Sequence, residues 1–271
     1  MHKRLMEQNI PHEFHSRPGR HNWPYWHNAI EYHFLSFLRS SINTNKFQKK
    51  KTMKKLFILI AGIIMISTPV QARNDWANYN RYAEDNAKIT VAPKAVLMGD
   101  SITDGWPGKD PEFFADNNFV GRGISGQVTG QMLLRFRQDV VDLNPKYVVI
   151  LAGTNDIAGN YGKIDMEKTF GNIVSMCEIA KANRIKPVIC SVIPASRFGW
   201  SPDVTDCAEK IIELNEMLRK YAKDNKIIYV DYHTVMKNGQ NGLSENLAKD
   251  GVHPTREGYD IMKGVLLKAL K

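Results

Sequence analysis

The stretch Tyr147-Val148-Val149-Ile150-Leu151, followed by Ala152-Gly153-Thr154-Asn155-Asp156, joins a short apolar run to a polar turn. The run is continuous and rich in β-branched residues, which is typical of a strand buried on both faces. Four similar runs are predicted as strands: Ala95–Met98, Asn118–Gly121, Pro187–Val192 and Ile227–Asp231. The stretches predicted as helices are Trp76–Ala87, Pro111–Asn117, Thr129–Leu143, Met166–Asn183, Thr205–Asp224 and Thr255–Leu270. This alternation predicts an α/β fold, a three-layer αβα sandwich around a five-stranded parallel sheet.

The composition is that of an ordinary globular protein, with 271 residues, 43% hydrophobic and 24% charged, which excludes fibrous and wholly disordered classes. The formal charge of +9 is uneven, because residues 1–72 hold 11 Lys and Arg against 3 Asp and Glu, whereas residues 73–271 hold 26 against 25. The nearly neutral second part argues against nucleic-acid binding. Three Cys are too few for a disulfide scaffold, and no cluster has metal-ligand spacing, so neither metal nor cofactor is expected.

The front of the chain carries the features of an export signal. The basic start Met53-Lys54-Lys55 precedes an apolar run from Leu56 to Ile66, and small residues follow up to Ala72. This pattern predicts a signal peptide over 53–72 and a periplasmic or secreted protein with no stable membrane anchor in its mature form. A membrane-spanning helix is the alternative, but it needs about 20 apolar residues. Residues 1–52 are interpreted as a mis-called extension, with a disordered arm or a long leader as alternatives, and the folded domain is expected over 73–271.

Several polar segments fall where α/β sheets place their active sites, beyond the carboxyl ends of the strands. Ser101 follows the first predicted strand, and a serine hydroxyl needs a base to become a nucleophile. His253 follows Asp250 by three positions, so the carboxylate can fix the imidazole tautomer while the other ring nitrogen faces Ser101. The pattern predicts Ser101, Asp250 and His253 as catalytic residues of an acyl-transfer site.

Acyl transfer also needs donors for the developing oxyanion. The candidates are the backbone N–H groups of Ser101 and Gly126 and the side-chain amide of Asn155. Gly123 is the rival of Gly126 for this role, and His233 is the rival base, interpreted as a packing or surface histidine. Asp100 and Asp156 are interpreted as structural residues that hold loops together, while the three cysteines are not expected to be catalytic.

The four segments G-D-S-I at 99–102, G-I-S-G at 123–126, G-T-N-D at 153–156 and D-G-V-H at 250–253 together resemble the GDSL or SGNH hydrolase family. In that family Ser, Gly, Asn and His come from four separated blocks in this order. The resemblance covers roughly residues 90–271 and implies a flavodoxin-like strand order 2-1-3-4-5. It also implies Ser101 as nucleophile, Gly126 and Asn155 in the oxyanion hole, and an assisting Asp250–His253 pair. The segments G-R-G-I-S-G-Q at 121–127 and L-A-G-T-N-D at 151–156 are similar to those of the branch of the platelet-activating-factor acetylhydrolase subunits. That branch includes bacterial esterases acting on sugars.

The substrate is predicted from aromatic residues near the expected site. Trp106, Arg197 and Trp200 are candidate substrate-binding residues, because aromatic faces suit sugar rings and the loop containing the last two should overhang the site. The favoured activity is hydrolysis of short acyl esters, acetyl in particular, on a carbohydrate. The alternatives are a lysophospholipase or thioesterase that takes longer chains, and a non-catalytic carbohydrate-binding module that has kept the fold.

Overall fold

The computed structural model describes residues 75–163 and 165–271, so the predicted extension and signal peptide lie outside the described residues. Five strands form one parallel sheet in the order β2-β1-β3-β4-β5, which confirms the predicted fold class. The strands are β1 (Ala95–Gly99), β2 (Phe119–Gly123), β3 (Tyr147–Leu151), β4 (Lys186–Cys190) and β5 (Ile228–Val230).

Nine α-helices connect and cover the described strands: α1 (Ala83–Ala87), α2 (Ser101–Lys109), α3 (Pro111–Asn117), α4 (Thr129–Asp139), α5 (Thr154–Ile157), α6 (Met166–Ala182), α7 (Cys207–Asp224), α8 (Tyr232–Met236) and α9 (Arg256–Ala269). Short 3₁₀ helices span Tyr79–Tyr82 and Val141–Leu143. Carboxylates or hydroxyls cap several helix starts by accepting N–H groups that have no partner within the helix. The capping residues are Asp100, Asp110, Asp165, Asp231 and Thr255.

The sheet is buried on both faces, and β1 shows how its side chains are shared. Val96 and Met98 pack into a core with α4, α6 and α7, whereas Ala95 and Leu97 pack into a second core with α2, α3, α8 and α9. Successive side chains of a strand point to opposite faces, so the strand must be apolar throughout. The continuous apolar runs of the sequence are therefore explained by the three-layer arrangement.

The structure differs from the predicted elements in several places. Helices α2, α5 and α8 were not predicted, and the predicted helix Thr129–Leu143 ends at Asp139 before a 3₁₀ turn. Strand β2 runs on to Gly123, so Arg122 and Gly123 lie within the strand rather than after the predicted end at Gly121. Helix α2 packs on β2 so closely that a Cβ on Gly123 would overlap the backbone at Thr103 and Asp104.

No helix among residues 75–163 and 165–271 has both the length and the apolar character to cross a membrane.

Candidate active site

Ser101 is the first residue of α2, directly after the carboxyl end of β1. The side chain of Asp100 caps this helix by accepting the N–H of Ile102 at 3.0 Å. The N–H of Ser101 itself has no acceptor within the described part of the chain. The serine hydroxyl and a free N–H are thus presented together at the positive end of a helix.

Three side chains from the two ends of the domain form a hydrogen-bonded chain. Ser101 Oγ lies 2.9 Å from His253 Nε2, and His253 Nδ1 lies 2.6 Å from Asp250 Oδ2. The loop before α9 carries His253 and Asp250, and it reaches over the carboxyl edge of the sheet. A carboxylate on one imidazole nitrogen and a hydroxyl on the other is the geometry that activates a serine nucleophile.

Asp250 is held by its own backbone as well as by the imidazole. Its Oδ1 atom accepts the N–H groups of Val252 at 3.0 Å and His253 at 2.8 Å. Partial burial would raise the pKa of Asp250, but the hydrogen bonds from the His253 side chain and these two N–H groups outweigh it and leave the pKa lowered. The carboxylate therefore stays ionised at neutral pH and faces Nδ1 in a fixed orientation.

The predicted oxyanion donors lie in the loops after β2 and β3. Gly126 has φ +80°, in the left-handed region that favours glycine, and its N–H has no acceptor among the described residues. Asn155 lies in α5, directly beyond β3, and its Nδ2 donates to the carbonyl of Gln127 at 3.0 Å. An amide nitrogen carries two hydrogens, so the second N–H of Asn155 remains available for a ligand.

A buried arginine supports the loop between these donors. Arg135 of α4 donates to Gln127 Oε1 at 2.6 Å and to the carbonyl of Gly99 at 3.2 Å, and pairs with Asp139 at 3.0 Å. Both charged side chains are fully buried. Arg135 thus ties the end of β1 to the loop after Gly126. The sequence analysis did not identify it, because one arginine on an amphipathic helix gives no signal of burial.

The three predicted substrate-binding residues differ in burial and in position. Trp106 is only 2% exposed and stacks on Phe113 and Tyr259, so its assignment to the substrate surface is wrong. Trp200 is 45% exposed, and its ring centroid lies 6.1 Å from that of His253. Arg197 is exposed in the same loop after β4. Trp106 was misassigned because α2 was not predicted, and this helix turns the indole into the core.

The remaining polar groups near the site are structural in their contacts. Burial raises the pKa of Asp100 to about 7, and it also raises that of Asp156, which accepts from the N–H and hydroxyl of Thr129. His233 is buried in α8, where its backbone N–H donates to Ser191 Oγ at 2.8 Å. Gly123, the rival of Gly126, lies within β2.

Neither the thiols nor the acidic side chains among the described residues form a second catalytic centre. Cys177, Cys190 and Cys207 are all buried and unpaired, and burial raises the pKa of the first two thiols to about 12. These thiols therefore stay protonated and inert at neutral pH. In the part of the chain that the structure describes, no group of three or more His, Cys, Asp or Glu could hold a metal ion.

Two open clefts flank the His253 ring and the Gly126 loop. One has a volume of about 780 Å³ and is lined mainly by charged and polar side chains, including Lys109, Lys249 and Arg256 beside His253. The other has a volume of about 470 Å³ and lies among Gly126, Asn160 and Trp200. Both clefts are open to solvent, and His253 lines the first while Gly126 lines the second.

A five-stranded α/β sandwich with a Ser–His–Asp chain and free N–H groups at its carboxyl edge defines the class of α/β serine hydrolases. The model of the GDSL-like lipase/acylhydrolase family matches residues 97–261, so the chain belongs to this family. It is a carboxylic ester hydrolase by that membership, as predicted.

Solved structures agree with this assignment. A crystal structure named as an acylhydrolase from Bacteroides fragilis is 50% identical, with a TM-score of 0.71 and coverage of 72% of this chain and 97% of that chain. A GDSL-like lipase from Bacteroides thetaiotaomicron is 48% identical, with a TM-score of 0.70 and coverage of 72% and 98%. An acetyl xylan esterase structure shares the fold at 22% identity and a TM-score of 0.54, covering 65% and 99%. The chain spans only 33% and 44% of the first two curated relatives that it matches.

Proposed function

We propose that this ester hydrolase removes short acyl groups, acetyl in particular, from carbohydrates, with Ser101 as its nucleophile. The observation that carries the proposal is the continuous contact from Asp250 through His253 to Ser101, with distances of 2.6 Å and 2.9 Å. A binding module has no need for a nucleophile, a base and an orienting carboxylate in one line. The geometry therefore favours catalysis over the carbohydrate-binding alternative.

The first half-reaction acylates the serine. His253 Nε2 takes the proton of the Ser101 hydroxyl while Oγ attacks the ester carbonyl carbon, and the carbonyl oxygen becomes an oxyanion. The imidazolium is stabilised by Asp250, whose carboxylate faces Nδ1. His253 then gives the proton to the leaving alcohol as the carbon–oxygen bond breaks, which leaves an acyl-enzyme.

The second half-reaction repeats these steps with water. His253 removes a proton from the water that attacks the acyl carbon, and then returns it to Ser101 Oγ as the acid leaves. In both halves the oxyanion is stabilised by the N–H groups of Ser101 and Gly126 and by the second amide N–H of Asn155. Removal of one such donor costs roughly 10²–10³ in rate in other enzymes.

Trp200 supports a carbohydrate substrate. Its exposed indole lies beside the His253 ring, with 6.1 Å between the two ring centroids, so it offers a stacking surface for a sugar ring next to the proposed base. Arg197 adds an exposed cation in the same loop. A structure of the same fold is named as an acetyl xylan esterase, which is consistent with this substrate class.

The surroundings of His253 favour a short acyl chain. The larger cleft is lined by charged side chains, among them Lys109, Lys249, Glu245 and Glu257. The described residues that line this cleft are nearly all charged or polar, so a long alkyl chain would find few apolar side chains to pack against. A secreted or periplasmic location, proposed from the signal-like segment 53–72, would place such an enzyme where glycans are processed.

The test is a chain-length series of p-nitrophenyl esters together with acetylated sugars. We expect turnover to be highest for acetate and to fall for longer chains, and Ser101→Ala to abolish it without loss of the fold. Ser175→Ala is the matched control, at a partly buried position of α6 that is not part of the proposed site, and it should keep full activity. A maximum at about eight or more carbons would end the short-acyl proposal, and activity of Ser101→Ala would remove the proposed nucleophile.

A further inference from the structure

A row of hydrogen bonds leads from the exposed Trp200 to two of the three candidate oxyanion donors, Asn155 and Gly126. Trp200 Nε1 donates to Asn160 Oδ1 at 2.8 Å. The amide nitrogen of Asn160 in turn donates to Asn155 Oδ1 at 2.9 Å and to the Gly126 carbonyl at 3.1 Å. The Asn160 amide oxygen thus accepts from the tryptophan, and its two amide hydrogens are donated to Asn155 and to the Gly126 carbonyl.

This row has a fixed direction, because the indole N–H can only donate. It must therefore face the oxygen of the Asn160 amide, which turns the NH₂ group of Asn160 toward Asn155 and Gly126. Asn155 must then turn its oxygen toward Asn160 and its NH₂ group away, toward the Gln127 carbonyl and the site. A flipped Asn155 would place an oxygen where the oxyanion forms, and catalysis would be lost.

We propose that Asn160 is a positioning residue that sets the orientation of the Asn155 amide and of Gly126, and that Trp200 fixes Asn160 through its indole N–H. The proposal rests on the proposed function, in which Asn155 and Gly126 stabilise the oxyanion. Neither Asn160 nor the Trp200 N–H touches the reacting atoms. They act on catalysis only by increasing the fraction of molecules in which the Asn155 amide and the Gly126 N–H are oriented toward the oxyanion.

The exposure of this row connects it to the substrate. Asn160 and Trp200 both lie at the surface, where water competes for their hydrogen bonds. A sugar ring stacked on Trp200 would exclude that water and strengthen the row. Substrate binding at the indole would then order the oxyanion donors, so that Trp200 contributes to kcat as well as to KM.

The experiment measures kcat and KM for p-nitrophenyl acetate with the full chain carrying Asn160→Asp, Asn160→Ala or Trp200→Phe. Asn160→Asp keeps the shape but cannot donate to Asn155 or Gly126. Trp200→Phe keeps a smaller aromatic face and removes the N–H. The matched control is Asn225→Asp at the end of α7, on the opposite edge of the sheet, where the amide donates to Tyr221.

We expect Asn160→Asp to lower kcat by about 10- to 100-fold and Trp200→Phe by about 3- to 10-fold, with KM changed by less than about twofold. Asn160→Ala should be milder than Asn160→Asp, because it removes the bonds without adding a misplaced acceptor. A role limited to packing predicts the opposite order, since Asn160→Asp conserves volume. The pH profile of kcat/KM should keep its midpoint, because the His253–Asp250 pair is untouched.

The proposal is overturned if Asn160→Asp and Trp200→Phe both keep kcat near that of the wild type, or if Asn160→Ala is the more damaging change at Asn160. Trp200→Phe alters an exposed side chain, so it keeps the test valid even if an Asn160 variant folds poorly. Ser101→Ala, measured in parallel, distinguishes a failure of the proposed function from a failure of the positioning role. An active Ser101→Ala removes the proposed function itself, whereas an inactive one with unaffected Asn160 variants removes only the positioning role.

Discussion

The hydrogen bonds of Asp250 predict that Asp250→Asn reverses the direction of the hydrogen bond between His253 and Ser101. Oδ1 accepts two backbone N–H groups, and Oδ2 faces His253 Nδ1 at 2.6 Å. An amide has one oxygen, which must stay with the two backbone donors, so its NH₂ group would face Nδ1. The imidazole proton would then move to Nε2 and point at Ser101 Oγ. His253 would donate to the serine and could not remove its proton.

The expected loss follows from the role of the base. A positioned general base contributes about 10²–10⁴-fold to rate. The Asp250 side chain is 54% exposed, so in Asp250→Asn water can reach the contact with His253 Nδ1. The tautomer with the proton on Nδ1 then costs less free energy to restore than it would in a buried pair. We therefore expect kcat/KM for p-nitrophenyl acetate to fall by about 10²–10³-fold at neutral pH, with an unchanged circular dichroism spectrum.

The matched control is Asp224→Asn, which removes an exposed carboxylate that pairs with Lys220 at the end of α7. This control should keep wild-type kinetics, because it lies at the opposite edge of the sheet. If Asp250→Asn retained kcat/KM within about fivefold of the wild type, the orientation argument would be refuted. His253 would then have to act without the carboxylate that the structure places beside it.

Three further predictions concern stability. Burial raises the pKa of Asp100 to about 7, so the native state keeps a proton that the unfolded chain has released above about pH 4. The free energy of unfolding should therefore fall as pH rises from about 4 to about 7, by at most about 1.4 kcal/mol per pH unit from this group. Urea titrations of Asp100→Asn should lack that part of the slope, and an unchanged slope would contradict the assignment. Trp106→Ala should lower the free energy of unfolding by about 3–5 kcal/mol, because it empties the space against Phe113. A raised KM with unchanged stability would instead return Trp106 to the substrate surface. Asp139→Asn should cost about 3–5 kcal/mol in the same titrations, since it leaves the fully buried Arg135 unpaired; a loss below about 1 kcal/mol would show that this charge finds another partner.

Helix α2 shows why part of the fold escaped the sequence analysis. It contains Gly105, Pro107 and Gly108, residues that disfavour helix interiors, yet it forms because Asp100 caps it and its apolar side packs on the sheet. Local propensity opposed the helix, and tertiary packing outweighed it. The misplacement of Trp106 followed directly, since the direction of an indole cannot be predicted without its helix.

The sequence by itself determined the alternation of strands and helices and the order of the four blocks. Buried parallel strands must be apolar on both faces, and the chemistry of acyl transfer restricts the residue types at the strand ends. The contacts of Ser101, His253 and Asp250 could be anticipated because Ser101 follows the end of a strand and the spacing of Asp250 and His253 suits a carboxylate that orients a base. The tertiary structure alone decided which side chains orient them, such as Arg135 and Asn160. Such residues act through contacts between distant segments, and a single polar residue in a helix or loop has no periodicity that reveals its partner.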